Sequence, residues 1–186
     1  MISTWMVAGA IVGAVLMPPS GIAQTPRPAG ESTRQSAPPD RNNPDAEFVA
    51  RAAEGGKKEV ELGKLASAKA SNPEVKAFGE RMVQDHTKSN DELMALVRHE
   101  VPQPKSPAKD TPAAKLAGLS GQDFDRAYMT EMVSAHEATL ALFEKEARDG
   151  KHEALRSWAA QRLTGIREHL QMARTLHAKL TTSVAR

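Results

Sequence analysis

The sequence predicts an all-α fold, a four-helix bundle made of two antiparallel hairpins joined by a long crossover. Three observations predict it. Four apolar stripes at helical spacing run through residues 44–182. The first two helices each open with an Asn-Pro pair, an N-cap followed by proline at the first helical position. The links inside the two hairpins are a few residues long, whereas the middle link has about 20, against the roughly 2–8 that antiparallel neighbours need.

The segment before the bundle reads as an export leader. The first 23 residues carry no charge, and Trp5 to Met17 is an apolar run of 13 residues, short for a membrane span. Pro18-Pro19-Ser20 breaks it, and Gly21-Ile22-Ala23 supplies the small residues of a cleavage site, predicting a cut after Ala23. Met1-Ile2-Ser3-Thr4 lacks the usual Lys or Arg, so an upstream start or retention as an anchor is the alternative. Residues 24–43 are rich in Pro, Ser, Gly and charge, the composition of a disordered linker. The expected product is periplasmic or envelope-located, with no stable span after cleavage.

The first helix opens at Asn43-Pro44, with Phe48, Ala52, Gly55, Glu59, Leu62 and Ala66 on its stripe. The Gly55-Gly56 pair predicts close approach of a neighbouring helix. The second opens at Asn72-Pro73, with Val75, Gly79, Met82, His86, Leu93 and Val97. Residues 101–120 hold four prolines and one short helical stretch around Ala113–Leu116. The third helix begins after Ser120, with Asp123 placed for a capping box, and carries Asp125, Tyr128, Met132, His136, Leu140 and Phe143. Asp149-Gly150 ends it. The fourth presents Leu155, Ala159, Arg162, Ile166, His169, Ala173, Leu176 and Leu180. A helix of about 27 residues is roughly 40 Å long, and 20 partly extended residues cover that span. The long middle link therefore points to the ferritin-like arrangement, with a simple up-down-up-down bundle as the alternative.

Composition excludes several functions. Cysteine is absent, which rules out disulfides, thiolate zinc sites and iron–sulfur clusters. The net charge is +2, both signs are mixed through the chain, and only one Tyr, two Trp and four Phe occur. Neither a basic stripe nor a stacking platform for nucleic acid is present. No phosphate loop or nucleophile elbow occurs, which argues against an enzyme. The partner is left unknown, and the oligomeric state is expected to be a monomer or small homo-oligomer.

Five blocks carry a resemblance. Phe48-Val49, Glu59-Val60-Glu61-Leu62-Gly63, Arg81-Met82-Val83-Gln84-Asp85-His86-Thr87-Lys88, Phe124-Asp125-Arg126-Ala127-Tyr128 and Glu168-His169-Leu170-Gln171-Met172-Ala173 resemble the DUF4142 family, exported bacterial proteins placed with the ferritin-like bundles. The resemblance spans residues 45–180 and implies the fold and an envelope location, but no activity. The family usually has Asp before the third-helix histidine. Here that position is Ala135, so any supporting role of that Asp must fall to another residue.

The candidate site rests on phase and height. His86, His136 and His169 each occupy the apolar stripe of their own helix, and Glu59 occupies that of the first. Counted from their hairpin turns, Glu59 and His86 lie about 12 and 14 residues away, and His136 and His169 about 14 and 18. Each pair agrees within about one helical turn. Three imidazoles and a carboxylate suit a single zinc or copper ion. A diiron site is not expected, because the residues three before these histidines are Val83, Val133 and Ile166 rather than Glu. Haem is not expected either, for want of aromatics and of an attachment motif. Met82, Met132 and Met172, one turn from the histidines, are read as core filling, with a copper(I) thioether role as the alternative. Glu61 falls off the stripe, Asp125 lies about three turns from His136 and is read as a helix-start or local hydrogen-bonding group, and His99, His152 and His177 lie near helix ends. The competing reading is a structural or stress-associated envelope protein, whose histidines form a polar, pH-sensitive core network without metal, each satisfied by a carboxylate such as Glu59, Asp85 or Glu168 or by a carbonyl.

Overall fold

The computed structural model describes residues 44–97 and 112–182. The leader, its cleavage after Ala23 and the 24–43 linker lie outside them. Five helices occur among the described residues: α1 (Pro44–Lys69), α2 (Pro73–Leu96), α3 (Pro112–Ala117), α4 (Gly121–Asp149) and α5 (Glu153–Thr182). None is long and apolar enough to cross a membrane.

The helix boundaries follow local chemistry. The Asn72 side chain accepts hydrogen bonds from the N–H groups of Glu74 (2.8 Å) and Val75 (3.4 Å), so the α2 cap forms as the Asn-Pro pair predicts. The capping box at α4 does not form: Ser120 is extended and makes no side-chain cap bond. Gly121 enters the helix at φ +57°, a left-handed conformation that glycine adopts without steric cost. Asp123 pairs instead with Arg126.

α1 and α2 form one hairpin, and α4 and α5 the other. Each turn is tied down by a buried aspartate from the opposite hairpin. Asp125 on α4 accepts from the Ser71 N–H (3.0 Å), the Asn72 N–H (2.9 Å) and the Ser71 hydroxyl. Asp45 on α1 accepts from the N–H groups of Lys151 (2.8 Å) and His152 (2.7 Å). The start of α4 therefore lies at the α1–α2 turn and its end at the start of α1, which makes α1 and α4 antiparallel. Val97, after α2, packs in the apolar cluster at one end, and Leu116 of α3 in the cluster at the other. The two ends of the middle connection are thus a bundle length apart, as the ferritin-like crossover requires.

Those two clusters divide the core. One holds Phe48, Val49, Leu93, Phe143, Trp158 and Ile166, with Phe48 and Phe143 edge to face at 5.1 Å. The other holds Leu62, Val75, Met82, Phe124, Met132 and Leu176. On every long helix the polar residue singled out above marks the change from one cluster to the other: Glu59, His86, His136 and His169 form the layer between. Between α1 and α2 the backbones nearly touch. A Cβ on Gly63 would lie 2.6 Å from the Gly79 carbonyl, and one on Gly79 would lie 2.9 Å from that of Gly63. The close backbone approach thus falls one turn from Glu59 and not at Gly55-Gly56, where the sequence placed it. Gly56 is packed instead by the Asn90 side chain, and Gly55 faces open space.

Near the α4–α5 turn, Glu146 is buried, and burial together with the Asp45 charge pushes its carboxyl up to about 7. Between the ordinary value of 4.5 and about 7 the folded chain holds a proton that the unfolded chain has released. This group's stabilisation is therefore complete below about pH 4.5 and is lost as pH rises through 7. Glu146→Gln is expected to flatten that dependence and to raise stability at pH 8 by about 1–2 kcal/mol, after allowance for solvent screening. Denaturant titrations at pH 5 and pH 8 measure it, and a gain of equal size at both would assign the effect to packing.

Candidate metal centre

The four residues predicted from phase meet at mid-bundle. His136 and Glu59 are buried at 0% and 2% exposure and His169 at 5%, while His86 is half-buried. The three imidazole rings form a near-equilateral triangle, with centroids 5.5, 5.6 and 5.8 Å apart. One nitrogen from each ring lies within 4.8 Å of the others. Glu59 Oε2 lies 2.8 Å from His86 Nε2 and 3.4 Å from His136 Nε2.

Which atoms are spoken for matters more than the spacing. His136 Nδ1 is 2.8 Å from the Met132 carbonyl, so it carries the proton and leaves Nε2 with a free lone pair. His169 Nε2 is 2.8 Å from Asp85 Oδ2, which places the proton there and leaves Nδ1 free. His86 Nε2 touches Glu59, but the ring is not aligned for a hydrogen bond. The result is four buried polar atoms without an aligned partner, one per long helix: Glu59 Oε2, His86 Nε2, His136 Nε2 and His169 Nδ1. Buried polar atoms are nearly always satisfied in folded proteins. Four orphans in one layer, with two rings fixed in the tautomer that aims a lone pair inward, form a donor set that fits a transition-metal ion.

The electrostatics differ between the imidazoles of the cluster. Burial pushes the Glu59 carboxyl up, but the contact with His86 and its charge outweigh it and hold Glu59 ionised. Burial disfavours the His86 imidazolium, yet the Glu59 and Asp85 carboxylates raise its pKa above the usual value. His169 is driven down to about 4 by burial and by its two histidine neighbours, despite the Asp85 contact, so it is neutral near pH 7 and able to donate a lone pair. Asp85 is desolvated, but His169 and Arg81 keep its carboxyl low.

Among the other candidates, Glu61 is exposed as expected and Glu168 pairs with Arg81 at 3.3 Å. Asp125 is no local helix-start group; its partners lie 53 and 54 residues away on the other hairpin. His152 is exposed, His177 is half-buried, and His99 lies outside the described residues. Met82 and Met132 are fully buried in the apolar cluster, and Met172 Sδ meets Arg81 Nη1 at 3.6 Å, which fits core filling. The support that Ala135 cannot give is divided between Met132, through its carbonyl, and Asp85 on another helix. Sequence reading missed the Tyr128 hydroxyl, a fifth orphaned polar atom. Burial and the Glu59 charge keep this phenol protonated.

Fold and site together define a four-helix bundle with a buried histidine–glutamate layer, in which three histidines stand close enough to hold a metal ion. The chain belongs to the DUF4142 family, a domain of unknown function whose profile matches residues 30–176. Among curated proteins, none matches the sequence at a significant level. Solved structures share the fold. A DUF305 protein from Streptomyces coelicolor, provisionally described as secreted, is 15% identical with a TM-score of 0.66, covering 75% of this chain and 93% of its own. A DUF305 fragment from Deinococcus radiodurans is 17% identical with a TM-score of 0.63, covering 78% and 99%. CopM, solved in silver-bound and copper(II)-bound forms, is 14% identical with TM-scores of 0.62 and 0.61, covering 73% and 96%.

Proposed function

We propose that the protein is an exported metal-binding bundle that holds one divalent transition-metal ion between Glu59, His86, His136 and His169, copper(II) in preference to zinc. The observation that carries the reading is a buried layer in which one nitrogen from each of three imidazoles lies within 4.8 Å of the others, with Glu59 Oε2 beside two of the rings. Imidazole and carboxylate donors without thiolate suit both ions, and the intrinsic affinity order places copper(II) above zinc. The silver- and copper-bound structures of CopM, a protein of the same fold, add support. Export rests on the uncharged apolar leader.

Elemental analysis of protein exported to a periplasm and purified without chelators tests this. One ion per chain, absent from the His86→Ala/His136→Ala/His169→Ala variant, is the expected result. Metal far below one per chain, with no thermal shift on adding copper or zinc, overturns it. The His86–Glu59 contact at 2.8 Å favours one other reading, a metal-free ion pair that organises the core. Asp85→Asn separates the two. It removes the carboxylate that fixes the His169 tautomer and is expected to weaken metal binding roughly 10–100-fold. Because Asp85 is half exposed, the melting temperature of the metal-free chain should move little.

A further inference from the structure

Next to the histidine layer lies a cavity of about 300 Å³, reaching from Glu59, His86 and His169 toward Trp158 at the α4–α5 turn end. We infer that this cavity is a binding site for a small organic anion with an apolar body, such as an aromatic monocarboxylate. The inference does not depend on a metal being present.

Three observations point that way. The first is glycine. Gly55 on α1 and Gly165 on α5 line the cavity, and a Cβ on either would meet nothing within 4 Å. Glycine inside a helix carries an entropic cost that close packing usually explains. Here no neighbour presses on either backbone, and what the missing side chains preserve is the space itself.

The second is charge. Arg51, Arg81, Lys88 and Arg162 line the cavity against two carboxylates, Glu59 and Asp85, both of which already contact histidines. Arg81 is paired within the lining with Asp85 at 3.2 Å, whereas Glu47 and Glu92, the ion-pair partners of Arg51 and Arg162, are not part of it. Arg162 Nε is buried without a hydrogen-bond partner. It is the cavity's unclaimed donor for an anionic group.

The third is the apolar part of the lining. Leu93, Phe143, Trp158 and Ile166 supply an apolar surface, with Phe143 and Trp158 ring centroids 5.4 Å apart. Apolar walls with a few placed polar groups are the usual composition of a small-molecule site, and the volume is at the small end of the range for such sites. A ligand of roughly 10–15 non-hydrogen atoms fits.

Three fluorinated probes test the inference on the full chain after chelator treatment, by ¹⁹F NMR: 4-fluorobenzoate, 4-fluorobenzyl alcohol and 4-fluorobenzylamine. The expected result is that 4-fluorobenzoate binds at least tenfold more tightly than the alcohol and that the amine does not bind. Gly165→Leu should cut 4-fluorobenzoate binding at least tenfold while keeping the wild-type circular dichroism and melting curve. Arg162→Gln should reduce the preference for the anion over the alcohol. Equal binding of all three probes would make the cavity a mere apolar void. Unchanged binding in a folded Gly165→Leu, or no binding of 4-fluorobenzoate, would overturn the inference outright. Because metal is absent throughout, failure here is distinct from failure of the metal site.

Discussion

Replacement of His136 by leucine is expected to remove metal binding without harming the metal-free fold. His136 is fully buried, with Nδ1 held by the Met132 carbonyl and Nε2 lacking an aligned partner. Leucine removes an orphaned polar atom, and the Met132 carbonyl keeps its place in the helix ladder. The metal-free bundle should therefore melt at the wild-type temperature or a few degrees above it. The response to metal should differ completely. An ion at a hundred times its dissociation constant stabilises the folded wild type by about 2.7 kcal/mol, on the order of 10 °C for a domain of this size. With one of three imidazoles gone, affinity should fall by orders of magnitude and that shift should vanish. Calorimetry of both proteins with and without copper(II) reads both effects at once. A variant that kept the shift would place the ion elsewhere. One that lost several kcal/mol without metal would make His136 part of the structural core.

The four residues at issue were legible in the sequence for a physical reason. A polar side chain in phase with apolar neighbours at helical spacing must be buried, and rise per residue converts distance from a turn into height. Both quantities are local, so Glu59, His86, His136 and His169 could be placed without seeing the tertiary structure. The first-helix stripe was misread by one residue: Ala53 and Gly56 are buried, while Ala52 and Gly55 are only half-buried. α1 packs against both α2 and α4, so its buried arc is wider than one stripe and single-file periodicity cannot fix its edges. The Ser120–Asp123 spacing suggested a capping box, but the left-handed Gly121 lets the chain enter α4 with Ser120 extended and uncapped. The supports of the site were not legible as assignments. Asp85 and Glu168 were equal candidates to hold a histidine, and only the packing of α2 against α5 gives His169 to Asp85 and Arg81 to Glu168. The cavity beside the site has no sequence mark except two glycines whose purpose depends on what is absent around them.

Asp125→Ala is expected to be the most destabilising single substitution outside the site. The carboxylate is fully buried and accepts three hydrogen bonds from the α1–α2 turn. Alanine leaves the Ser71 and Asn72 N–H groups in partly buried positions without an acceptor, at about 1–3 kcal/mol each. A total loss near 3–5 kcal/mol is expected by denaturant titration, a large share of a typical domain's stability. Asp45→Ala, which frees two N–H groups at the other turn, should cost somewhat less. The two aspartates also join the hairpins at opposite ends, while the histidine layer lies midway and takes Glu59 and His86 from one hairpin and His136 and His169 from the other. Loosening either clamp lets the hairpins shift, and a donor set divided between them loses its convergence. Metal affinity in Asp125→Ala should therefore fall under conditions where the chain is still folded, although Asp125 lies about three helical turns from His136. Unchanged affinity in a folded Asp125→Ala would mean that the apolar clusters alone hold the two hairpins in register.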